Sequence, residues 1–322
     1  MRAAFAAEIN PVDPLAALII GEQPEPVPQD DSWVVVDVRA SSLNHHDLWS
    51  LRGIGLQPEQ LPMILGCDAA GTDPDGNEVV IHAVLGSPSY PDETLDPKRT
   101  ILSEYFPGTL ADKVCVPRRN LVPKPPELSF VEAACLPTAW LTAYKMLVGK
   151  GRITPESSVL VQGAGGGVAT AAVVLAKAMG ARVYATSRTA TKRARVTKLG
   201  AVALEPGARL PERVDVVIET VGTATIDHSV KCAAPGGRIV VCGTVAGHVA
   251  NIDLRRLFFL QLELLGSTMG TRADLTELLT LCAAKEIRPV IDSLYGFSDA
   301  AQAFARLESG DGFGKIVLDH SR

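Results

Sequence analysis

The stretch Val159-Leu-Val-Gln-Gly-Ala-Gly-Gly-Gly-Val-Ala169 decides the fold. Val159 to Gln162 is apolar and β-branched enough for a strand, and Val168 to Met179 reads as an apolar, alanine-rich helix. Glycines between a strand and a helix allow a tight turn and let backbone N–H groups approach a phosphate at the positive helix end. A glycine motif alone is weak, because such loops also occur simply as turns. Here the spacing is the variant Ala164-x-Gly166-x-x-Ala169, and a strand before, a helix after and a further strand make the signal strong. The series continues with Ala181 to Thr186, a helix over Thr191 to Leu199, Val214 to Glu219, Arg238 to Cys242 and Leu262 to Gly266. Apolar strands separated by helices predict a doubly wound parallel sheet of the Rossmann type, α/β in class.

The end of the second strand separates the two nicotinamide cofactors. An acidic residue there would hold the ribose 2′-hydroxyl of NAD. This chain has Ser187 and Arg188 with Lys192 following, and no Asp or Glu until Glu205. A hydroxyl, a guanidinium and an ammonium suit a 2′-phosphate, so NADPH is the expected cofactor. The plain alternative makes Arg188 and Lys192 solvated residues at a helix start.

At 322 residues the chain can hold two domains, and with 47% hydrophobic and 21% charged residues it has globular composition. A net charge of −5 gives no electrostatic reason to expect nucleic acid or an acidic membrane as partner. The start of the chain lacks the apolar core of a signal peptide, and no apolar run reaches the ~18 to 20 residues that span a bilayer. A cytoplasmic location is the expectation. Cys67, Cys115, Cys135, Cys232, Cys242 and Cys282 form no Cys-x-x-Cys pair and read as reduced, buried thiols.

The first ~120 residues differ in character from the middle of the chain. Trp33 to Arg39, Glu78 to His82 and Ala111 to Pro117 are short strands between Pro- and Gly-rich turns, which predicts an irregular β-rich domain such as a partly open barrel. A helix near Ser298 to Ser309 and a strand at Lys315 to Leu318 close the chain.

With these elements in place the sequence resembles the medium-chain dehydrogenase/reductase superfamily, in its quinone-oxidoreductase-like branch. The residues that carry the resemblance are Leu43-Asn-His-His-Asp-Leu-Trp49, Leu65-Gly-Cys-Asp-Ala-Ala-Gly71, Gly108-Thr-Leu-Ala-Asp112, Leu136-Pro-Thr-Ala-Trp-Leu-Thr-Ala-Tyr144, the glycine loop, Pro235-Gly-Gly-Arg-Ile-Val-Val241, Leu265-Gly-Ser-Thr-Met-Gly270 and Gly312-Phe-Gly-Lys-Ile-Val-Leu318. It implies a GroES-like domain over 1–123, a Rossmann domain over 124–264 and a return segment, 265–322, that completes the first domain. It implies cofactor contacts from Thr138, Ala164, Gly165, Gly166, Gly167, Val168, Ser187, Arg188, Lys192, Gly243, Thr268 and Met269.

Zinc-dependent members hold their metal with cysteine and histidine donors. The matching positions here carry Asn44, Cys67 and Thr138, and no four-cysteine cluster lies between Ala83 and Phe106. An amide and a hydroxyl are poor zinc donors, so no metal is expected. The resemblance then implies reduction of a small enone, quinone or related conjugated carbonyl. Asn44 would orient the cofactor ring or the substrate oxygen, and His46 is the most reactive-looking local acid. Asp47 reads as a capping carboxylate and Trp49 as packing or pocket wall. A zinc-type alcohol dehydrogenase and a non-catalytic NADPH-binding sensor are the rivals. The apolar stretch Phe258 to Leu265, at a predicted sheet edge, suggests a homodimer.

Overall fold

A computed structural model describes all residues, Met1 to Arg322, and divides them into two compact units: Met1–Ala139 with Gly270–Arg322, and Trp140–Met269. Residues 124–139, expected with the Rossmann part, therefore belong with the β-rich unit, and the chain returns to that unit at Gly270 rather than at 265.

The second unit is a six-stranded sheet in which every neighbouring pair is parallel. Its spatial order is Val202–Leu204, Arg182–Thr186, Ser158–Val161, Val214–Glu219, Ala233–Val241, Glu263–Gly266. In chain order that is third, second, first, fourth, fifth, sixth, the doubly wound dinucleotide-binding arrangement with its switch point beside the first strand. Ser158–Val161 is buried along its whole length, as a strand covered on both faces must be. Helix Gly167–Ala178 buries Ala169, Ala171, Ala172 and Ala176 beside Val173 and Leu175, small side chains that let it approach the sheet closely. The short strand Val202–Leu204 was not expected from the sequence. It is only half-buried, so it lacks the apolar signature of its neighbours. The last strand, Glu263–Gly266, forms one edge of the sheet.

The first unit is antiparallel in most of its pairings. Its long strand Trp33–Ser42 buries Val34, Val36, Val38 and Ala40 in alternation and pairs with Lys113–Pro117 on one stretch and Asp68–Thr72 on another. The C-terminal strand Lys315–Asp319 joins the same strand, with Val317 opposite Ser42. That pairing brings the return segment into the first unit. Arg2–Ala6, Leu18–Glu22 and Met63–Ile64 form a second, three-stranded sheet. Leu48, Leu51, Leu65, Leu110, Phe297, Phe304, Ile316 and Leu318 fill one continuous core, drawn from both ends of the chain. No helix is long and apolar enough to cross a membrane.

Candidate active site

In the second unit the glycine loop sits at the carboxyl end of the first strand. Gly163 has φ +69°, a left-handed conformation that glycine adopts without strain. Ala164 N–H donates to the Thr186 carbonyl at 2.7 Å, which pins the loop to the neighbouring strand. Gly166 is the N-cap of helix Gly167–Ala178, and the space where its Cβ would stand is open to 4 Å. A backbone bend with open space above it, at the start of a helix of this length, is a cradle for a pyrophosphate. Residues 163–168 therefore fit the group that the sequence implies.

Lys192 lies across this loop, since a Cβ on Gly165 would stand 3.2 Å from its Cδ and 3.5 Å from its Nζ. Ser187 is buried at the end of the second strand and Arg188 is exposed beside it. Arg193, which sequence reasoning missed, donates to the carbonyls of Ser187 and Arg188 at 3.0 and 2.9 Å and pairs with Glu205 at 2.9 Å. It fixes the turn and occupies the first acid that follows it. Gly243 follows the fifth strand, where a Cβ would meet the Thr220 carbonyl oxygen at 2.7 Å. Thr268 and Met269 follow the sixth, with Met269 at φ +49°.

Beneath the loop runs a buried polar chain that the sequence did not announce. Thr186 Oγ1 donates to Gln162 Oε1 at 2.7 Å, and Gln162 Nε2 donates to Ser229 Oγ at 3.0 Å. Ser229 Oγ in turn donates to Glu219 Oε2 at 2.6 Å. The other oxygen of Glu219 accepts from the N–H groups of Val221 and Gly222 and from Thr225 Oγ1. Side chains on three adjacent strands and one helix are thereby locked together, and a fully satisfied network of this kind rigidifies what it underlies.

Thr138 lies at the end of the first unit's leading segment, Met1–Ala139. Its hydroxyl is buried and has no hydrogen-bond partner within the chain.

In the first unit, Asn44 is held at both ends. Its Nδ2 donates to Asp68 Oδ2 at 2.9 Å, and its Oδ1 accepts from Lys315 Nζ at 2.7 Å. Lys315 also donates to Asp68 Oδ2 at 2.9 Å and to the Leu43 carbonyl at 2.8 Å, and Ser42 Oγ adds a further bond to the same carboxylate oxygen. Lys315 and Asp68 are fully enclosed. Removing either partner of such a pair alone leaves an uncompensated buried charge, at a cost of about 3–5 kcal/mol. Both residues stand inside motifs quoted above, but their meeting was not visible there.

Helix His45–Leu51 begins at Asn44, and Asp47 Oδ2 accepts the Asn44 N–H at 2.8 Å, the capping role expected of it. Full burial pushes the Asp47 carboxyl up to about 6. His45 points outward, whereas His46 is half-buried. His46 Nε2 lies 3.2 Å from Glu104 Oε1 and Nδ1 lies 3.6 Å from Cys67 Sγ. Gly55, at φ +83°, makes room for the Glu104 carboxylate. Burial opposes a charge on the His46 ring, yet Cys67, Glu104 and Asp47 around it hold it well above the ordinary histidine value. Burial raises the Cys67 thiol, which donates to the Leu102 carbonyl at 3.2 Å. The His46 ring beside it pulls the thiol the other way. All six cysteines are free thiols; Cys67, Cys135, Cys232 and Cys282 are buried as expected, whereas Cys115 and Cys242 are only half-buried.

The zinc positions of the related dehydrogenases are not matched by suitable donors. Asn44 spends its oxygen on Lys315, and Thr138 offers a hydroxyl. His46, Asp47 and Cys67 each bring one donor atom within 4.8 Å of the others. In this structure the hydrogen bonds just described use the Cys67 proton, the Cys67-facing nitrogen of His46 and one Asp47 oxygen, and the other Asp47 oxygen is buried without a partner.

The comparisons with known proteins agree with this architecture. Residues 30–126 match the alcohol dehydrogenase GroES-like domain, and residues 189–318 match the zinc-binding dehydrogenase domain. A zinc-type alcohol dehydrogenase-like protein of Schizosaccharomyces pombe is 31% identical over 88% of this chain and 90% of its own. An acryloyl-coenzyme A reductase of Sulfurisphaera tokodaii is 28% identical over 92% of this chain and 95% of its own. The crystal structure of an NAD-dependent alcohol dehydrogenase superposes with a TM-score of 0.90, at 33% identity over 99% of both chains. The chain belongs to the medium-chain dehydrogenase/reductase superfamily, and it is an oxidoreductase with a nicotinamide-dinucleotide-binding domain.

The open space at Gly166 gives a direct test of the loop. A Cβ at Gly166 meets nothing within 4 Å, so the melting temperature of Gly166→Val should match the parent within about 2 °C, as for a surface change. A branched side chain standing in the phosphate space should weaken NADPH binding at least 100-fold by calorimetry. Unchanged affinity would show that the dinucleotide sits elsewhere.

Proposed function

We propose that this protein is an NADPH-dependent, zinc-independent reductase of a small enone, quinone or related carbonyl-conjugated substrate. The observation that carries the reading is His46, a ring whose neighbours Cys67 and Glu104 raise it above the ordinary histidine value, with Glu104 Oε1 at 3.2 Å from its Nε2. The acryloyl-coenzyme A reductase among the similar proteins acts on a conjugated carbonyl, which supports the same class of substrate.

NADPH, when bound, supplies a hydride to the electron-poor carbon of the substrate. The remaining work falls to the chain. His46 delivers a proton to the carbon or oxygen that gains charge, and Glu104 stabilises the ring that carries it. Asn44, fixed by Asp68 and Lys315, has one amide N–H beyond the one spent on Asp68 and can hold the substrate oxygen or the cofactor ring. Lys192 and Arg188 favour the 2′-phosphate.

The resemblance to an NAD-dependent alcohol dehydrogenase and the match to the zinc-binding dehydrogenase domain favour a second reading, a metal-dependent alcohol dehydrogenase. One experiment separates the two. Purified protein, dialysed against a chelator, is assayed with NADPH and NADH across enones and quinones, and with NAD and NADP across primary and secondary alcohols. Expected are consumption of NADPH with enones or quinones, at least tenfold tighter binding of NADPH than NADH (about 1.4 kcal/mol), and loss of that margin in Arg188→Ala. Activity only with alcohols, dependent on added zinc, would establish the second reading, and no turnover with any substrate would leave a sensor.

The pH profile tests His46 separately. A raised pKa means the ring is protonated at neutral pH and loses its proton as the pH rises through that raised value. Reductase activity should fall along that limb. Glu104→Gln removes one of the groups that raise the ring, so the fall should move to lower pH. A limb that stays in place would exclude His46 as the donor.

We also propose a homodimer through the exposed edge strand Glu263–Gly266. Phe258 and Phe259 stack with ring centroids 4.8 Å apart on the adjacent helix and are both largely exposed, an apolar patch that a two-fold mate would cover. Light scattering should give about twice the chain mass of 34.1 kDa. A monomer at all concentrations would overturn this.

A further inference from the structure

We propose that Arg193 is a further ligand of the 2′-phosphate of NADPH, and that Glu205 is an internal anion that occupies Arg193 until the phosphate takes its place. This rests on the NADPH reading above and names the device that sets its selectivity. Every residue involved belongs to the second unit.

The placement comes from the strand Val202–Leu204, which the sequence did not announce. It runs parallel to Arg182–Thr186, with Leu204 opposite Thr186. The Ser187 N–H donates to the Leu204 carbonyl at 3.0 Å, so the two strands end side by side. Glu205 follows at once. An acid that comes late along the chain is thereby delivered to the end of the second strand, where NAD-binding proteins of this fold keep theirs.

Arg193 intercepts it. Its Nη1 donates to the carbonyls of Ser187 and Arg188 at 3.0 and 2.9 Å, and its Nη2 donates to Glu205 Oε1 at 2.9 Å. Two backbone bonds fix the plane of the guanidinium, and the carboxylate oxygen marks where an anion sits on it. The other two cations are placed differently. Arg188 is exposed, and Lys192 leans over the glycine loop, its Nζ 3.5 Å from where a Gly165 Cβ would stand. Arg193 is thus the cation that the turn itself holds.

Exchange of the anions follows from their chemistry. An ion pair as open as this one, with the carboxylate 71% exposed, holds weakly. A phosphate monoester brings about −1.5 to −2 charges near neutral pH and three acceptor oxygens, where Glu205 brings a single charge. A guanidinium matches phosphate oxygens in pairs. Arg193 therefore changes partner when offered the phosphate, and keeps Glu205 when offered a bare ribose hydroxyl. The consequence is that NADPH binds more loosely than Arg193 alone would allow. Each binding event breaks the Arg193–Glu205 pair and brings two anions close together.

The test isolates this corner of the cofactor with two fragments, 2′,5′-ADP and 5′-AMP. Both are titrated by calorimetry, beside NADPH and NADH, into the full chain and into Glu205→Gln, Arg193→Gln and the double variant. Glu205→Gln touches neither carbonyl bond of the turn, so it carries the test even where Arg193→Gln loosens the fold. Expected is binding of 2′,5′-ADP and NADPH about threefold tighter in Glu205→Gln, the size of an exposed ion pair, with 5′-AMP and NADH unchanged. Arg193→Gln should weaken 2′,5′-ADP about tenfold, the worth of a charge-assisted bond, and leave 5′-AMP unchanged. In the double variant the gain from Glu205→Gln should vanish. Unchanged 2′,5′-ADP affinity in Glu205→Gln, or a gain that persists in the double variant, would overturn the exchange. Equal losses of both fragments in Arg193→Gln would make Arg193 a holder of the turn only. Weaker NADH binding in Glu205→Gln would put the carboxylate on the ribose hydroxyl and overturn its part as placeholder. All of these results leave NADPH as the cofactor. Equal affinities for 2′,5′-ADP and 5′-AMP in the parent would instead overturn the NADPH reading itself.

Discussion

One buried charge pair organises the first unit. Lys315 and Asp68 meet at 2.9 Å with almost no exposure, and taking two such ions out of water is costly unless their remaining bonds are met. Here most of them are. Lys315 reaches the Leu43 carbonyl and Asn44 Oδ1, and Asp68 receives Ser42 and Asn44 Nδ2. The pair therefore does three things at once. It fixes the C-terminal strand against the N-terminal sheet, holds Asn44 in one orientation, and sets the start of the helix that carries His46. Because breaking it would leave a stranded charge, the geometry at Asn44 tolerates little drift. That is the condition a positioned amide needs if it is to act on a reacting group.

The second unit solves the same problem without an ion pair. Its glycine loop must be open above and firm below. Openness comes from glycines and from small residues along the following helix. Firmness comes from the chain Thr186–Gln162–Ser229–Glu219, whose carboxylate gathers four donors at the carboxyl end of the fourth strand.

How much of this was legible in the sequence follows from how far apart the interacting residues lie. The glycine loop, the parallel strands and the edge position of Glu263–Gly266 were legible, because periodicity and spacing are local properties. The approach of Lys192 to Gly165 was not, since the sequence placed that lysine only after the second strand. The partners of Asn44 were not: Lys315 lies 271 positions away, and an isolated Lys in an apolar strand reads as a solvated end. Glu104, 58 positions from His46, sits in a segment with no periodic pattern at all. The strands Arg2–Ala6 and Leu18–Glu22 escaped notice because they are short and interrupted by a Pro-rich connection. The boundary near Ala139 escaped because the helical run Leu136 to Tyr144 passes through it unbroken in sequence.

The arrangement at His46 also bears on why an absent zinc ligand set need not mean an absent reaction. A histidine can bind a metal through a nitrogen only when that nitrogen has no proton. As a proton donor it must carry one. Both uses compete for the same ring, and the neighbours decide between them. Glu104 at Nε2 suits either case, since ligating histidines also lean on carboxylates. The deciding neighbour is Cys67. Burial raises the Cys67 thiol, and its proton is directed at the Leu102 carbonyl. A metal entering between Cys67 and His46 would have to expel protons from both and break that bond. On the proposed reading the ring serves as the proton donor, with the Glu104 carboxylate at 3.2 Å beside it.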